Sequence, residues 1–158
     1  MEERRLAIRK MITFTAVYAF NFLGYIGLTR GLPFWYISQS KPGWAIPYYS
    51  FGVVTILLCV PIAWATIQIV QSENRKPLYV LGSAQMLGWC FWEWGLFAFH
   101  NLILVNIGIF ICLAASFALF AVYRKLSRSV VLALQIPVLW SIYGFALAVA
   151  IARFNNHT

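Results

Sequence analysis

Long apolar stretches alternate with short charged or polar segments along this chain. Five windows are apolar over most of their length: 11–29, 47–70, 77–99, 101–122 and 130–153. A helix needs roughly 20 apolar residues to cross about 30 Å of hydrocarbon, and the windows meet or approach that length. They occupy most of residues 1–158 and leave no room for a second domain. The pattern predicts an all-α fold, a single integral membrane bundle of five transmembrane helices.

Composition excludes an ordinary soluble domain. The chain is 62% hydrophobic and 10% charged, with a mean hydropathy of +0.78, whereas soluble domains carry about 25% charged residues. The first window follows a basic stretch, as the apolar part of a signal peptide would, but no small-residue cleavage site follows it. We therefore interpret the first window as a retained helix.

The basic residues are distributed unequally between the two ends of the predicted bundle. With five spans, nine of the twelve Lys and Arg residues fall on the side of the N-terminus and of the 71–76 and 123–129 connections. The positive-inside rule then predicts a cytoplasmic N-terminus, with the 30–46 loop and the C-terminus outside. The net charge of +8 favours membrane lipid that is anionic. Nucleic acid is not expected as a partner, because the basic residues are spread over several connections.

The connection between the first two windows is unusually rich in proline and aromatic residues. It reads TRGLPFWYISQSKPGWAIPYYS around the predicted loop 30–46. Rigid rings and prolines favour a lid that packs over the helix ends and covers a cavity. The alternative is a belt of aromatic side chains at the membrane–water interface.

Glu93 is an acidic residue within an apolar window, in the run WCFWEWGLFAFH. An ionised acid at membrane depth costs about 2.5–3.5 kcal/mol, so such residues face the bundle interior or water and are candidates for function. Helical spacing places Gln85, Trp89 and Glu93 on one face. Either Glu93 lines a cavity, or it is a structural carboxyl that bonds an indole N–H or Gln135, or it reaches the nearby interface.

The sequence offers little for hydrolytic or metal chemistry. His100 and His157 lie at outer boundaries, and the spacings of Cys59, Cys90 and Cys112 match no zinc or redox pattern. We therefore expect no catalytic residue, metal or resident cofactor. Seven Trp, eight Tyr and thirteen Phe are present instead. Rigid aromatic walls with few polar groups suit a flat, apolar ligand.

Two motifs resemble the translocator protein family, also called tryptophan-rich sensory proteins. The first is the run from Trp35-Tyr36 through Lys41-Pro42 and Trp44 to Pro47; the second is Ile136-Pro137-Val138-Leu139-Trp140 in the fifth window. The resemblance implies a five-helix bundle, often a homodimer, with a cavity beneath the first loop that binds protoporphyrin IX, haem-like tetrapyrroles or sterols. It places Tyr36, Trp44 and Trp140 in that pocket.

The chain departs from the family pattern at several pocket positions. Thr55 stands where a tryptophan is expected, Trp89 where asparagine is usual, and Glu93 where small polar residues are usual. This pattern is typical of a divergent member. Some bacterial members are described as degrading protoporphyrin in light and oxygen, and Thr55 disfavours that activity here because a cavity tryptophan tied to it is replaced.

The leading hypothesis is a membrane protein that binds porphyrin, haem or another planar hydrophobic ligand such as a sterol, for sensing, sequestration or transport. The residues expected to bind that ligand are Tyr36, Trp44, Trp89, Glu93 and Trp140. Two alternatives stay open. One is a membrane enzyme that modifies a lipophilic substrate with Glu93 as acid or base, and the other is a small transporter or a structural partner in a larger membrane complex.

Overall fold

A computed structural model describes residues 2–71 and 75–155, and within these residues the chain is helical with no strand. His157 and part of the 71–76 connection lie outside the described residues. Five α-helices and two π-helical segments follow one another: α1 (Glu2–Gly31), π1 (Leu32–Tyr36), α2 (Ser50–Val70), α3 (Lys76–Glu93), π2 (Trp94–Ala98), α4 (Leu102–Tyr123) and α5 (Arg128–Asn155). The expected all-α class is confirmed.

Four of the described helices are long and apolar enough to cross a membrane: Glu3–Gly31, Ser50–Val70, Leu102–Tyr123 and Arg128–Asn155. α3 is not among them, so the count of five spans stays a prediction. The 18 residues of α3 include a basic first residue, the amide Gln85 and an acidic last residue. These polar positions lower its hydropathy relative to that of the other helices.

The helices coincide with the five windows, and the largest differences concern α1 and the first connection. α1 begins at Glu2 rather than near residue 11, and helical backbone continues through π1 as far as Ser38. The expectation of a loop over 30–46 is therefore wrong in its first part, because only residues 39–49 are irregular. Proline lacks a backbone N–H and disrupts regular α-helical bonding. Around Pro33 the chain adopts π-helical bonding instead of leaving the helix.

The bundle has two distinct apolar cores, one at each end. One core unites the end of α2, the start of α3, the end of α4 and the start of α5, and the Leu78 N–H donates to the Tyr123 hydroxyl there at 3.1 Å. We call this the basic end, because the connections beside it carry the excess of Lys and Arg. The other core contains the ends of α1 and α5, the start of α2, and π2. We call this the aromatic end.

Glycines on neighbouring helices explain how α3 and π2 fit at the centre of the bundle. Gly24, Gly27 and Gly31 of α1 lie against Glu93, Trp94 and Phe97, respectively, and an added Cβ at any of the three would overlap its neighbour. On the opposite side, Gly88 of α3 and Gly108 of α4 let the two backbones approach closely, as small residues do in membrane bundles. Gln85 and Glu93 are therefore covered by protein, which permits polar residues at positions that would be excluded if they faced lipid, while Val80 and Leu87 of the same helix are exposed.

Candidate functional site

The structure buries most of the residues expected to form the site, at the aromatic end. Tyr36, Trp89 and Glu93 are between 1% and 5% exposed. Trp140 is half-buried and packs against the same core. Trp44 differs, because 51% of its surface is exposed.

A group of aromatic rings from five elements forms the centre of the site. Phe51 of α2 and Phe97 of π2 have ring centroids 5.3 Å apart, and both rings contact Tyr36, at 5.2 and 5.9 Å. Trp140 of α5 lies 6.4 Å from Phe51 and 6.0 Å from Trp92. All these pairs have edge-to-face geometry, which aromatic pairs prefer over a face-to-face sandwich.

Trp44 reaches this group only through a second ring. Its indole meets Tyr143 edge-to-face at 5.9 Å, and Tyr143 stacks on Trp140 at 5.1 Å. The structure therefore places Trp44 on the outer surface of the site, one ring away from Trp140.

Hydrogen bonds hold the first connection down on the helix ends. The Tyr36 hydroxyl donates to the carbonyl of Ile46 at 2.9 Å, and the N–H of Ile46 donates to the Tyr143 hydroxyl at 3.1 Å. The backbone of Ser40 makes two bonds of 3.0 Å with the side-chain amide of Asn155, at the end of α5. Burial raises the pKa of the Tyr36 phenol above its ordinary value of 10.0. The neutral form, which can donate, is thereby favoured.

Lys41 closes the helical end that precedes the connection. Its ammonium donates to the carbonyls of Tyr36 at 2.6 Å and Gln39 at 2.5 Å, and it lies 4.8 Å from the centroid of the Tyr36 ring. Carbonyls at a helix C-terminus lack intrahelical donors, and a cation there satisfies them and complements the helix dipole. Partial burial lowers the pKa of Lys41. The Lys-Pro sequence that resembled a family motif thus fixes where the helix stops.

Five polar atoms of this region have no hydrogen-bond partner among the described residues although they are buried. They are the indole nitrogens of Trp89, Trp92 and Trp140, the Oε1 atom of Glu93 and the hydroxyl oxygen of Thr55. Leaving a buried donor or acceptor unpaired costs about 1–3 kcal/mol, more if it is charged. Three donors, a carboxyl acceptor and a hydroxyl thus remain available to a ligand in an apolar enclosure.

The burial of Glu93 distinguishes between the interpretations of this residue. It is 1% exposed and lies against α1 at Gly24, so the expectation that it reaches the interface is wrong. Its Oε1 atom accepts no bond from an indole, and the Nε2 atom of Gln135 is itself unpaired. The structural interpretation, in which Glu93 bonds an indole or Gln135, is therefore not what the structure shows for that oxygen.

The space within the aromatic group is small. A cavity of about 10 Å³ lies between α3, α4 and α5. It is lined by Gly88, Trp89, Trp92, Ile109, Cys112, Trp140 and Ser141. Two expected site residues, Trp89 and Trp140, therefore share one cavity, whereas Tyr36, Trp44 and Glu93 do not line it.

Phe51, Trp92, Phe97 and Tyr143 were not among the expected site residues, yet they connect those that were. A sequence signal existed for two of them. Tyr143 follows Trp140 by three residues, a spacing that places both on one helical face. For Trp92 the signal is Gly144, the next residue after Tyr143, because a Cβ added there would overlap the Trp92 ring. Phe51 and Phe97 carry no such mark in the sequence.

Comparison with known proteins agrees with this architecture. The comparison with curated proteins finds no match for the sequence. The family model described as TspO/MBR family matches residues 11–153, from the first turns of α1 almost to the end of α5. The match covers nearly the whole chain, including the connection and the aromatic group beneath it, and the chain therefore belongs to the TspO/MBR family.

Proposed function

We propose that this protein binds a planar hydrophobic ligand, of the tetrapyrrole class, at the aromatic end of the bundle. The observation that carries the proposal is the set of unpaired buried polar atoms among aromatic rings. Family membership supports a membrane protein that binds hydrophobic ligands in general. Sensing, sequestration and transport all begin with such a binding step.

The unpaired atoms favour a ligand that carries both acceptors and donors on an apolar framework. Indole nitrogens can only donate, so Trp89, Trp92 and Trp140 require acceptors on the ligand. The Oε1 atom of Glu93 can accept from a ligand N–H. A tetrapyrrole offers pyrrole N–H donors, acidic side chains that accept, and two flat faces for aromatic packing.

Binding of such a ligand requires the aromatic end to open. Ligand pockets measure about 300–1,000 Å³, whereas the cavity beside Trp140 measures about 10 Å³. The first connection is held by side-chain bonds from Tyr36, Tyr143 and Asn155, which are individually weak. We propose that the connection acts as a lid that lifts from these three residues, after which the rings of Phe51 and Trp140 separate.

Trp140→Ala and Trp64→Ala form a matched pair for testing this proposal. Trp64 lies on α2 and is 42% exposed, outside the aromatic group. Protoporphyrin IX is titrated into purified protein while tryptophan emission is recorded. We expect saturable quenching in the wild type and in Trp64→Ala, and an affinity at least tenfold weaker in Trp140→Ala. Absence of saturable quenching in the wild type, or equal affinities in both variants, would contradict the proposal.

We propose further that α3 and π2 together form the fifth span, with the N-terminus in the cytoplasm. The two segments run without a break from Lys76 to Ala98 and contribute to the cores at both ends. Maleimide labelling of Ser127→Cys and Gln39→Cys in intact cells tests the orientation, because both positions are exposed or half-exposed. Only Gln39→Cys should react with an impermeant reagent. The homodimer stays a prediction.

A further inference from the structure

A second cavity lies toward the basic end, away from the aromatic group. It measures about 140 Å³ and extends from α1 to the buried side of α5. Its deep wall includes Ile62 of α2, Leu119 of α4, and Leu134 and Pro137 of α5. None of the residues expected to bind a tetrapyrrole lines it.

The interior of this cavity is suited to hydrocarbon. Two polar side chains in its wall already have partners: Gln85 donates to Ser116 at 2.7 Å, and Thr66 donates to the carbonyl of Ile62 at 2.7 Å. A cavity lined by apolar residues and about 150 Å³ in size stays dry and admits a molecule such as benzene. The space at the basic end thus fits a few methylene groups and is too small for a tetrapyrrole.

The mouth of the cavity opens between α1 and α3. Ile12 and Ala16 of α1, and Tyr79 and Ser83 of α3, line the cavity and are exposed on the outer surface. This surface faces lipid in a membrane-spanning bundle, so a hydrocarbon chain can enter sideways from the bilayer.

Basic residues adjoin the mouth on both helices. On α1, Arg9 precedes Ile12 by three residues; on the other side, Arg75 precedes Tyr79 by four. Positions three or four apart share a helical face, so each guanidinium lies one turn from the mouth, toward the end of the bundle. Lys10 and Lys76 add two further positive charges. Basic pockets between membrane helices are suited to anionic lipid headgroups.

We propose that this site binds one anionic phospholipid, with part of an acyl chain in the cavity and the phosphate between Arg9 and Arg75. Two observations identify the ligand: an apolar cavity of about 140 Å³ opens toward lipid, and basic residues lie one helical turn from its mouth. The site is distinct from the proposed tetrapyrrole site, because none of the five residues expected to bind a tetrapyrrole lines it, although Val17, Ile62 and Met86 of its wall also belong to the core of the aromatic end.

To test the proposal, delipidated protein in neutral detergent is titrated with dioleoyl phosphatidylglycerol or with dioleoyl phosphatidylcholine. Native mass spectrometry measures the fraction of the protein that has bound lipid. The two lipids have the same chains and differ in headgroup charge. We expect the wild type to bind phosphatidylglycerol at least tenfold more tightly. Equal affinities would overturn the proposal.

Ala16→Phe and Ala19→Phe separate the cavity from the lipid-facing surface. Both alanines are exposed on α1, but only Ala16 lines the cavity. Ala16→Phe should weaken phosphatidylglycerol binding at least tenfold, and Ala19→Phe should leave it unchanged. If both variants bind as the wild type does, the chain does not enter this cavity and the proposal fails. Thermal unfolding in detergent verifies that each variant is folded.

The double variant Arg9→Gln/Arg75→Gln tests the headgroup, with Arg124→Gln/Lys125→Gln as its control at the same end of the bundle. Each removed charge near the membrane surface is expected to weaken phosphatidylglycerol binding about fivefold. The control should bind as the wild type does. Loss in Ala16→Phe with no loss in Arg9→Gln/Arg75→Gln would assign the cavity to an uncharged apolar molecule and overturn the anionic lipid.

Discussion

The aromatic end and the basic end of the bundle differ in what each leaves unsatisfied. At the aromatic end the rings of Tyr36, Phe51 and Phe97 fill the interior, the cavity is about 10 Å³, and five buried polar atoms lack hydrogen-bond partners within the part of the chain that the structure describes. At the basic end the cavity is about 140 Å³, while Gln85 and Thr66 on its wall are both hydrogen-bonded. The aromatic end is closely packed but contains unpaired polar atoms, whereas the basic end has an open cavity whose polar wall residues are already hydrogen-bonded.

The two ends carry stability costs of different origin. An unpaired buried polar group costs about 1–3 kcal/mol, and cavity volume costs about 24 cal/mol per Å³. The enclosed part of the cavity at the basic end carries a cost of this kind when it is empty. The two proposed ligands would each relieve one of these costs, a hydrogen-bonding planar ligand at the aromatic end and a hydrocarbon chain at the basic end. This contrast is the reason why we propose unlike ligands for the two ends.

The largest expected effect comes from adding one methyl group in each half of α3. Gly88→Ala should destabilise the bundle by about 1–3 kcal/mol, because its Cβ would lie 2.6 Å from the carbonyl oxygen of Gly108 and 2.8 Å from the backbone nitrogen of Cys112. Gly82→Ala should stabilise it by about 0.5–1 kcal/mol, since the nearest atom would be 3.7 Å away. Unfolding in mixed micelles measures both. Equal effects would remove the contrast in packing between the two ends.

Replacing the unpaired carboxyl separates stability from binding. Glu93→Met keeps a long unbranched side chain and removes the unpaired Oε1 atom, so we expect a gain of about 1–2 kcal/mol in unfolding free energy. Glu3→Met, at an exposed position of α1, is the control and should be neutral. Protoporphyrin affinity should fall about fivefold in Glu93→Met, the loss expected for one hydrogen bond that contributes about 1 kcal/mol. A destabilised Glu93→Met variant would show that the carboxyl has a partner in the folded protein.

Hydrophobic patterning predicted the elements well, because lipid solvent imposes a minimum apolar length on any spanning helix. The window 101–122 became Leu102–Tyr123, and 130–153 became Arg128–Asn155. The first nine residues of α1 were missed because they are too polar for the pattern to register. Likewise, the π-helical turns at Leu32–Tyr36 and Trp94–Ala98 depend on backbone bonding that side-chain hydropathy does not encode.

The candidate site was predictable in composition but not in arrangement. Gln85, Trp89 and Glu93, which helical spacing places on one face, are all buried, but they meet different neighbours: Trp89 lines the cavity against α4 and α5, and Glu93 lies against α1. The spacing along α3 did not show the surface that packs against it. Gly24 and Gly27 of α1 lie against the side chains of Glu93 and Trp94, and Gly31 lies against the backbone of Phe97. Their spacing of three and four residues was visible in the sequence. This spacing could be interpreted only from the tertiary structure, because the sequence does not show which helix packs against α1.

Loosening the first connection should affect ligand entry more than stability. Asn155→Ala removes both bonds to the backbone of Ser40, and Asn106→Ala, at an exposed position of α4, is its control. Each lost bond contributes about 0.5–1.5 kcal/mol. If the connection must lift before a ligand enters, the association rate of protoporphyrin should rise about fivefold in Asn155→Ala and remain unchanged in Asn106→Ala. Stopped-flow quenching measures both rates. Unchanged rates in both variants would mean that ligand enters by another route.

The smallest effect is expected from alkaline pH, because it appears only at the edge of the usable range. Burial raises the pKa of Tyr36 above 10.0 in the folded protein. Above pH 10 the unfolded chain therefore releases this proton while the folded protein retains it, and stability falls as pH rises. Tyr36→Phe lacks the phenol, so the stability difference between wild type and variant should shrink from pH 8 to pH 10.5, whereas other tyrosines titrate equally in both. A difference that stays constant over that interval would show that the Tyr36 phenol is accessible to solvent and that the connection does not seal the aromatic end.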